Sequence, residues 1–311
     1  MLIINDFNAD TSECKPSVIA LGTFDGIHLG HCDVIKAARK YARTNQLRLV
    51  VFTFSNHPFS KLNPTHVPPQ LISNAEKTLI FEQLGVDVLV NIPFTDLFLK
   101  LSPLQFLQKL KTFSYQCLVV GENYNYGFMG KGDTTTLVET GRREGFDVLV
   151  RKLVTVDQQI VSSTLIRNLI QSGEMLAANK MLGREYSLEG IVEQGAHRGK
   201  TLGFPTANIA ISEEHLIVPA TAVYAVKVEL DGTTYYGMAN IGENPTFGDI
   251  AQKRLEVHLF DFDGDVYGQQ IKVKFVAYMR GQCKFNSPVE LQAQLVRDKK
   301  TISNYFAGNE K

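Results

Sequence analysis

The spacing of apolar residues changes once along the 311-residue chain, near residue 182, and this change constrains the fold more than any other feature. Before it, short β-branched runs alternate with longer segments whose apolar residues recur at helical spacing, which is typical of a parallel sheet covered by helices. After it, apolar and polar residues alternate, which indicates antiparallel strands. The sequence therefore predicts an α/β domain over residues 1–182 and a β-rich domain over residues 183–311.

The first domain is expected to contain five buried strands rich in Val, Ile, Leu or Phe. These strands are predicted at 17–21, 48–54, 87–92, 117–120 and 147–153. The clearest helix begins near His31, and two shorter helical stretches over 163–171 and 174–181 are followed by the stop signals Gly173 and Gly183.

The second domain is expected to form an antiparallel barrel or sandwich. Its alternating segments are YSLEGIVEQ, VYAVKVEL, TYYGMANIG, RLEVHLFDF and QIKVKFVAYM. A final helix over 287–306 should begin with Ser287 as N-cap and Pro288 at the first helical position, and should plug or flank the barrel. The apolar residues expected beneath it are Val289, Leu291, Leu295, Val296 and Ile302.

Charge and cysteine content exclude several classes of protein. Lys+Arg and Asp+Glu both number 32, so no overall positive field exists to hold a nucleic acid, and no nucleic-acid partner is expected. The acidic N-terminus and the lack of a long apolar stretch argue against a secretory signal and a membrane span. Four cysteines without a CxxC pair fit reduced thiols. These features predict a cytoplasmic protein with small-molecule partners, and leave its oligomeric state open.

The string GTFDGIHLGH at residues 22–31 joins the first predicted strand to the first long helix. In α/β sheets this place binds phosphate, because glycines let the backbone approach a ligand and the helix N-terminus offers free N–H groups. Two imidazoles three residues apart add donors. The alternative is a glycine-rich turn whose histidines hydrogen-bond only to the backbone.

The string resembles the GxFDGxHxGH signature of the nucleotidyltransferase superfamily, which transfers a nucleotide's α-phosphoryl group and releases pyrophosphate. The resemblance implies that His28 and His31 are catalytic. The implied contacts to ATP are Gly22, Phe24, Gly26 and Gly30. The later string SSTLIR can be an ordinary N-cap, but it resembles the superfamily's SSTxIR motif, whose hydroxyls and arginine grip phosphate. Its residues are Ser162, Ser163, Thr164 and Arg167.

A second constellation, GAHRGKTLGFPTAN at residues 195–208, opens the β-rich half. Its glycines suit a loop that covers phosphate, and Thr206 and Asn208 alternate on a predicted strand, so an oxygen from each could hold Mg²⁺. Glu256 is one carboxylate within a later strand and suits a general base for an alcohol. Taken singly, each feature also fits a plain hairpin loop, a turn or a solvated strand face.

Together, LGFPTAN, NIGENPTF and RLEVHLFDF resemble the riboflavin kinase family, which folds as a Greek-key barrel. The resemblance implies that Thr206 and Asn208 bind the metal and phosphate and that Glu256 is the base. It also places Arg280 and the terminal helix near the flavin. The implied ATP-binding residues are Gly195, Arg198, Gly199, Lys200 and Gly203.

The order of the two halves resembles the bacterial bifunctional riboflavin kinase/FMN adenylyltransferase family, also called FAD synthetases. The implied fold is a Rossmann-like domain followed by a Greek-key barrel with a C-terminal helix. The implied reactions use ATP and Mg²⁺ to convert riboflavin to FMN and then FMN to FAD.

The first domain departs from the family pattern at several positions. Cys32 replaces a glutamine, Ser55 and Asn56 replace an acid and a proline, and Asn123, in a stretch expected to bind the flavin, replaces an aspartate. Gly130 lies in a loop that lacks an arginine the family often carries. We therefore expect an intact kinase and a slower or altered adenylyltransferase. The alternatives are a kinase with a degenerate first domain, a flavin-binding regulator and, less favoured, a cytidylyltransferase.

Overall fold

A computed structural model describes residues 1–6, 15–194, 203–213, 215–244 and 252–309. Within it the chain divides into two compact units, Met1–Ser163 and Thr164–Lys311. We call these the first and the second unit.

The first unit contains six parallel strands, a small hairpin and the helices between them. Its strands are β1 (Leu2–Ile4), β2 (Ser17–Leu21), β3 (Arg48–Phe54), β4 (Val88–Ile92), β5 (Tyr115–Gly121), β6 (Asp147–Arg151), β7 (Thr155–Val156) and β8 (Gln159–Ile160). Its helices are α1 (Leu29–Thr44), α2 (Phe59–Leu62), α3 (Asn74–Gln83), α4 (Asp96–Leu99), α5 (Pro103–Leu110) and α6 (Thr134–Glu144). Short 3₁₀ turns lie at Pro64–His66, Lys111–Phe113 and Phe128–Gly130.

The large sheet has the order β1-β4-β3-β2-β5-β6. All five strands predicted from the sequence are present, and the parallel sheet is confirmed. Successive residues of β2 enter two different cores because a strand alternates its side chains between faces. Val18 and Ala20 pack with α1 and α3, whereas Ile19 and Leu21 pack with α5 and α6. Burial on both faces explains why these strands are almost wholly apolar.

Strand β1 was not predicted, because its three residues are too few to give a pattern. It pairs with β4 at the edge of the sheet, with Ile3 opposite Leu89. The hairpin of β7 and β8 was also not predicted.

The second unit begins with helices and continues as a barrel. Its helices are α7 (Ser163–Ser172), whose first residue belongs to the first unit, α8 (Met175–Leu182) and α9 (Pro288–Asn309). Its strands are β9 (Tyr186–Glu193), β10 (Ala207–Ile211), β11 (Ala222–Leu230), β12 (Thr233–Asn244), β13 (Gln252–Leu259) and β14 (Gln270–Gly281). Gly173 and Gly183 follow the two short helices in the left-handed conformation, as the stop signals predict.

The six strands of the second unit form a closed antiparallel barrel in the order β10-β13-β12-β11-β14-β9. Strands β11, β12 and β13 follow one another as hairpins, and β14 returns to lie beside β11. This arrangement is the Greek key that the resemblance to the riboflavin kinase family implies. The prediction left barrel and sandwich open, and the structure decides for the barrel.

Helix α9 lies on the outside of this barrel. Ile302 and Phe306 are buried against Ala225, Met238 and Ala277, which share the outward strand face. Ser287 caps the helix, because its hydroxyl accepts a hydrogen bond from the amide of Glu290 at 3.2 Å. Val289 and Val296, expected beneath the helix, are instead 73% and 55% exposed. These two residues lie off the apolar stripe, which is narrower than the sequence suggested.

Candidate functional sites

The first candidate site begins in the turn after β2, at the carboxyl end of the sheet. The chain runs from β2 to β3 and β4 on one side, and returns to β5 and β6 on the other. Parallel sheets bind ligands at such a reversal of strand order. Three residues of the turn, Phe24, Gly26 and Ile27, have φ of 47°, 81° and 37°. Two of the three are not glycine, so the surrounding structure must hold a strained backbone here.

His28 caps the N-terminus of α1. Its Nδ1 accepts a hydrogen bond from the amide of His31 at 3.3 Å, and the side chain is buried. The two imidazole rings stack with centroids 3.6 Å apart, and Phe24 meets the ring of His31 edge-on at 5.3 Å. A helix N-terminus that carries two imidazoles suits a phosphate group. The structure thus brings together the two histidines that the sequence singled out.

The same turn contains the four predicted ATP contacts Gly22, Phe24, Gly26 and Gly30. Gly30 lies so close to His28 that an added Cβ would come within 3.2 Å of the imidazole. A side chain at this position would therefore press on a predicted catalytic ring.

The second nucleotidyltransferase motif reaches this turn through Ser163. The Ser163 hydroxyl donates a hydrogen bond to the carbonyl of Asp25 at 3.0 Å, although 138 residues separate them. Ser162 is half-buried. Thr164 and Arg167 belong to the second unit, where Thr164 is exposed and Arg167 is buried in α7. Their predicted roles stay predictions.

The departures from the family pattern have defined places in the first unit. Asn56 hydrogen-bonds in both directions with the backbone of Phe94, since its Nδ2 donates to the carbonyl at 3.3 Å and its Oδ1 accepts from the amide at 2.6 Å. The Ser55 carbonyl accepts a hydrogen bond from the side-chain Nδ2 of Asn74 at 2.9 Å. These bonds fix the chain after β3.

The other three departures lie apart from this segment. Cys32 is half-buried, and its thiol donates to the carbonyl of Ile27 at 3.5 Å. Gly130 has a φ of 65°. Asn123, the predicted flavin contact, is exposed in the turn after β5.

The second candidate site is a polar row across three strands of the barrel. Asn208 on β10 lies directly opposite Glu256 on β13, and Glu256 lies opposite Asn240 on β12. Residues opposite one another in antiparallel strands point to the same face. The alternating residues Ala207, Leu255 and Val257 are buried, so the row lies on the other face. The structure therefore brings the predicted base beside one predicted metal ligand.

Thr206 is the second predicted metal ligand. Strand β10 begins at Ala207, so Thr206 precedes it rather than alternating with Asn208 inside it. The preceding residue, Pro205, has its carbonyl 2.8 Å from Nδ1 of His258, and this imidazole therefore donates the hydrogen bond. Burial lowers the pKa of His258, which favours the neutral ring. His258 holds the segment that leads to Thr206 against β13.

Several predicted contacts to ATP fall outside the described residues. These are Gly195, Arg198, Gly199 and Lys200. Gly203 is described and has a φ of 78°. The described residues hold no cluster of three or more His, Cys, Asp or Glu side chains suited to a metal ion. The hydroxyl and amide oxygens of Thr206 and Asn208 are nevertheless the hard donors that Mg²⁺ accepts when substrate phosphates complete its coordination.

Arg280, predicted to lie near a flavin, joins the barrel to α9. Its Nε and Nη2 bind Oδ1 and Oδ2 of Asp298 at 3.0 and 2.6 Å, and its Nη1 donates to the carbonyl of Gly281 at 2.9 Å. Asp298 is 7% exposed and also accepts from the Gln294 amide. This paired carboxylate raises the pKa of Arg280 above its usual value. Arg280 on β14 lies opposite Val223 on β11, and Val223 lies opposite Asn240 on β12. The ion pair of Arg280 and Asp298 therefore lies beside the polar row.

Fold and sites together define a two-domain transferase that uses nucleotides, with a phosphate-binding turn in an α/β unit and a carboxylate in a Greek-key barrel. Comparison with known proteins gives the family. The riboflavin kinase family matches residues 182–306, and the FAD synthetase family matches residues 10–165. The chain belongs to the bifunctional riboflavin kinase/FMN adenylyltransferase family.

Curated members of this family match along nearly their whole length. The protein from Bacillus subtilis is 42% identical, over 95% of this chain and 94% of the relative. The one from Listeria monocytogenes is 39% identical, over 93% and 92% of the two chains. The one from Escherichia coli is 32% identical, over 98% and 97%.

A crystal structure also matches the complete fold. It is described as a macrolide-efflux protein from Streptococcus pneumoniae, and it is 32% identical with a TM-score of 0.90 over 98% of this chain and 99% of that one. Within the described parts of the present chain, no helix combines the length and the apolar character needed to cross a membrane.

Four residues that lie in or beside these sites were not among the predicted site residues: Asp25, Lys77, His258 and Asp298. Each is polar or charged but less than 9% exposed. The available signal was position, because Lys77 precedes the core residue Phe81 by one helical turn and His258 follows Glu256 on the same strand face. A sequence does not reveal which hydrogen-bond partners such buried side chains have in the fold.

Proposed function

We propose that the chain performs two consecutive ATP-dependent reactions. The barrel transfers the γ-phosphoryl group of ATP to riboflavin, which gives FMN and ADP. The α/β unit then transfers the adenylyl group of a second ATP to FMN, which gives FAD and pyrophosphate. The observation that carries the proposal is that one chain of this family holds both the His28–His31 pair at a helix N-terminus and Glu256 opposite Asn208.

In the kinase reaction Glu256 takes the proton from the ribityl 5′-hydroxyl, whose oxygen attacks the γ-phosphorus as the bond to the β-phosphate oxygen breaks. Asn208, directly opposite, is suited to hold the Mg²⁺ that the ATP phosphates bring, together with Thr206. Mg²⁺ would neutralise the charge that develops on the phosphates. The loop with Gly195, Arg198, Gly199, Lys200 and Gly203 would cover the phosphates.

In the adenylyltransferase reaction a phosphate oxygen of FMN attacks the α-phosphorus of ATP in line, and the bond between the α-phosphorus and the β-phosphate oxygen breaks. No covalent enzyme intermediate is required, so positioning and electrostatics supply the catalysis. His28 and His31 would stabilise the α-phosphoryl group, and Ser163 and Arg167 would hold the departing pyrophosphate. Asn123 would contact the flavin.

The family limits support a proposal for the boundary between the two activities. Because the riboflavin kinase family matches residues 182–306, we place the functional boundary at residues 182 and 183, which leaves α7 and α8 in the adenylyltransferase domain despite their packing with the second unit. Substrates of this kind are small molecules, and no nucleic acid is required. We propose a cytoplasmic location, where ATP is abundant.

The alternatives are less favoured. A flavin-binding regulator would be expected to lose Glu256, Thr206 or Asn208, and all three are present. A kinase with a degenerate first domain would be expected to lose His28 or His31, and both are present. A cytidylyltransferase would have no use for the barrel.

One incubation tests the proposal. Purified chain is mixed with riboflavin, ATP and Mg²⁺, and riboflavin, FMN and FAD are separated by chromatography over time. FMN should form first and FAD should follow, at a lower rate if the departures at Ser55, Asn56 and Asn123 weaken the first domain. Formation of FMN without FAD, even when FMN is supplied, would mean that only the kinase is active. Formation of FAD at a rate comparable to that of FMN would disprove a weakened first domain.

A further inference from the structure

Helix α3 contacts the phosphate-binding turn after β2. None of its residues belongs to the GTFDGIHLGH or the SSTLIR string. Ser73 caps the helix by accepting a hydrogen bond from the amide of Glu76 at 3.0 Å. Its buried side chains are Lys77 and Phe81, which are one helical turn apart and lie on the same side. Lys77 is 5% exposed, which is unusual for a lysine.

The ammonium group of Lys77 has three acceptors. Its Nζ donates to the carbonyl of Thr23 at 3.0 Å, the hydroxyl of Thr53 at 2.9 Å and the carbonyl of Phe54 at 3.1 Å. Thr53 in turn donates to the same Thr23 carbonyl at 2.8 Å. A lysine ammonium has three donors, so all of them are used. The lysine therefore ties the turn after β2 to the end of β3.

The next two residues of the turn are also held from outside. Phe24, with its positive φ, packs edge-on against Phe81 at 5.8 Å. Asp25 accepts from the amide of Leu71 at 2.9 Å through its side chain and from Ser163 through its carbonyl. Three consecutive residues are thus fixed by contacts from α3, β3, the segment before α3 and Ser163. Such contacts are what a strained backbone requires.

We propose that Lys77 is a positioning residue for adenylyl transfer. It holds the Thr23 carbonyl, and with it the start of the turn that ends in His28 and His31, in the geometry needed at the transition state. The inference rests on the adenylyltransferase function proposed for the first unit. Lys77 is not placed in contact with substrate; it acts through the backbone of the turn.

The charge of Lys77 is kept although burial disfavours the ionised form. Burial lowers its pKa from 10.5 to about 8, and Asp25 opposes this shift. A neutral side chain of similar length would avoid the cost of burying an ion, but it would leave three acceptors without their donor. Asp25, His57 and Lys77 line one cavity, which Asp25 enters from the turn and His57 from the chain after β3.

The test compares Lys77→Met with Lys77→Arg, and uses Lys40→Met on the exposed side of α1 as the matched control. FAD formation from FMN and ATP should fall about 10- to 100-fold in kcat for Lys77→Met, because small misplacements of a site have effects of this size. The KM for ATP should change less than about threefold, since the geometry matters most in the transition state. Lys77→Arg should recover part of the rate, and Lys40→Met should match the unsubstituted chain.

Two further readouts separate positioning from folding. FMN formation by the same preparations should be unchanged, and thermal unfolding followed by circular dichroism should show the first unit folded at the assay temperature. The kcat for FAD formation should fall above about pH 8 in the unsubstituted chain and not in Lys77→Arg. The unsubstituted chain and Lys77→Arg both retain Asp25 and His57. A difference between their pH profiles is therefore caused by residue 77.

The inference is overturned if folded Lys77→Met forms FAD within about threefold of the unsubstituted rate. It is also overturned if the loss of rate equals the fraction of unfolded protein and disappears on cooling, which would make Lys77 merely structural. Failure of the unsubstituted chain to form FAD from FMN would instead refute the function proposed for the first unit, and the inference with it.

Discussion

The two candidate sites are assembled in different ways. In the first unit the main residues come from one continuous turn of ten residues, and its shape depends on contacts with α3, β3 and Ser163. In the second unit the main residues come from separate strands, and the register of the barrel alone brings Asn208, Glu256 and Asn240 side by side. A continuous motif thus still needs outside support to hold a strained backbone, whereas a strand register aligns distant residues without strain.

The largest expected effect comes from removing the single carboxylate of the barrel row. Glu256→Gln keeps the size of the side chain but removes the base, so FMN formation should fall about 10²- to 10⁴-fold. FAD formation from supplied FMN should continue, which two-product chromatography can measure. Asp263→Asn, on an exposed part of the same unit, is the control. Unchanged phosphorylation in Glu256→Gln would contradict the assigned role.

The next effect concerns His28, which has two functions at the turn. His28→Asn keeps a side-chain acceptor for the cap but removes the imidazole, whereas His28→Ala removes both. FAD formation should fall about 100-fold or more in each variant. Only His28→Ala should also lose stability, by about 1 kcal/mol, because an N-cap is lost. Thermal unfolding and FAD assays measure the two effects separately, and equal stability of the variants would refute the capping role.

A smaller effect is expected where the barrel meets α9. Asp298→Asn leaves Arg280 half-buried without its carboxylate, and should destabilise the second unit by about 2–3 kcal/mol. FAD formation from FMN should not change. Denaturant unfolding gives the stability, and Arg297→Gln, on an exposed position of α9, serves as the control. If Arg280 mainly contacts the flavin, Asp298→Asn would instead change the KM for riboflavin and leave stability intact.

The smallest effect is the pH dependence of the first unit's stability. Lys77 has a folded pKa of about 8 and an unfolded pKa of 10.5, so the unfolded chain binds more protons between these values. Stability should therefore rise between pH 7 and pH 9, by about 1 kcal/mol from this group. Lys77→Met should remove the rise, as denaturant unfolding at both pH values can show. Equal slopes in the two proteins would mean that the folded lysine stays protonated up to pH 9, so that burial does not lower its pKa.

The sequence by itself determined the class of both units, because the change in apolar spacing near residue 182 separates strands buried on both faces from strands buried on one. The motifs also indicated His28, His31, Asn208 and Glu256, since short strings carry their own spacing. The ends of the strands and helices did not follow from the pattern, and the three residues of β1 gave no pattern at all.

Only the tertiary structure decided how these residues are held. It placed Asn240 beside Glu256 and Lys77 behind the turn, and it paired Arg280 with Asp298. The physical reason is that the strand register and the partners of a buried charge depend on residues far apart in the chain. Local spacing can predict that a lysine lies on an apolar helix face. It cannot predict which three acceptors form hydrogen bonds with the ammonium group.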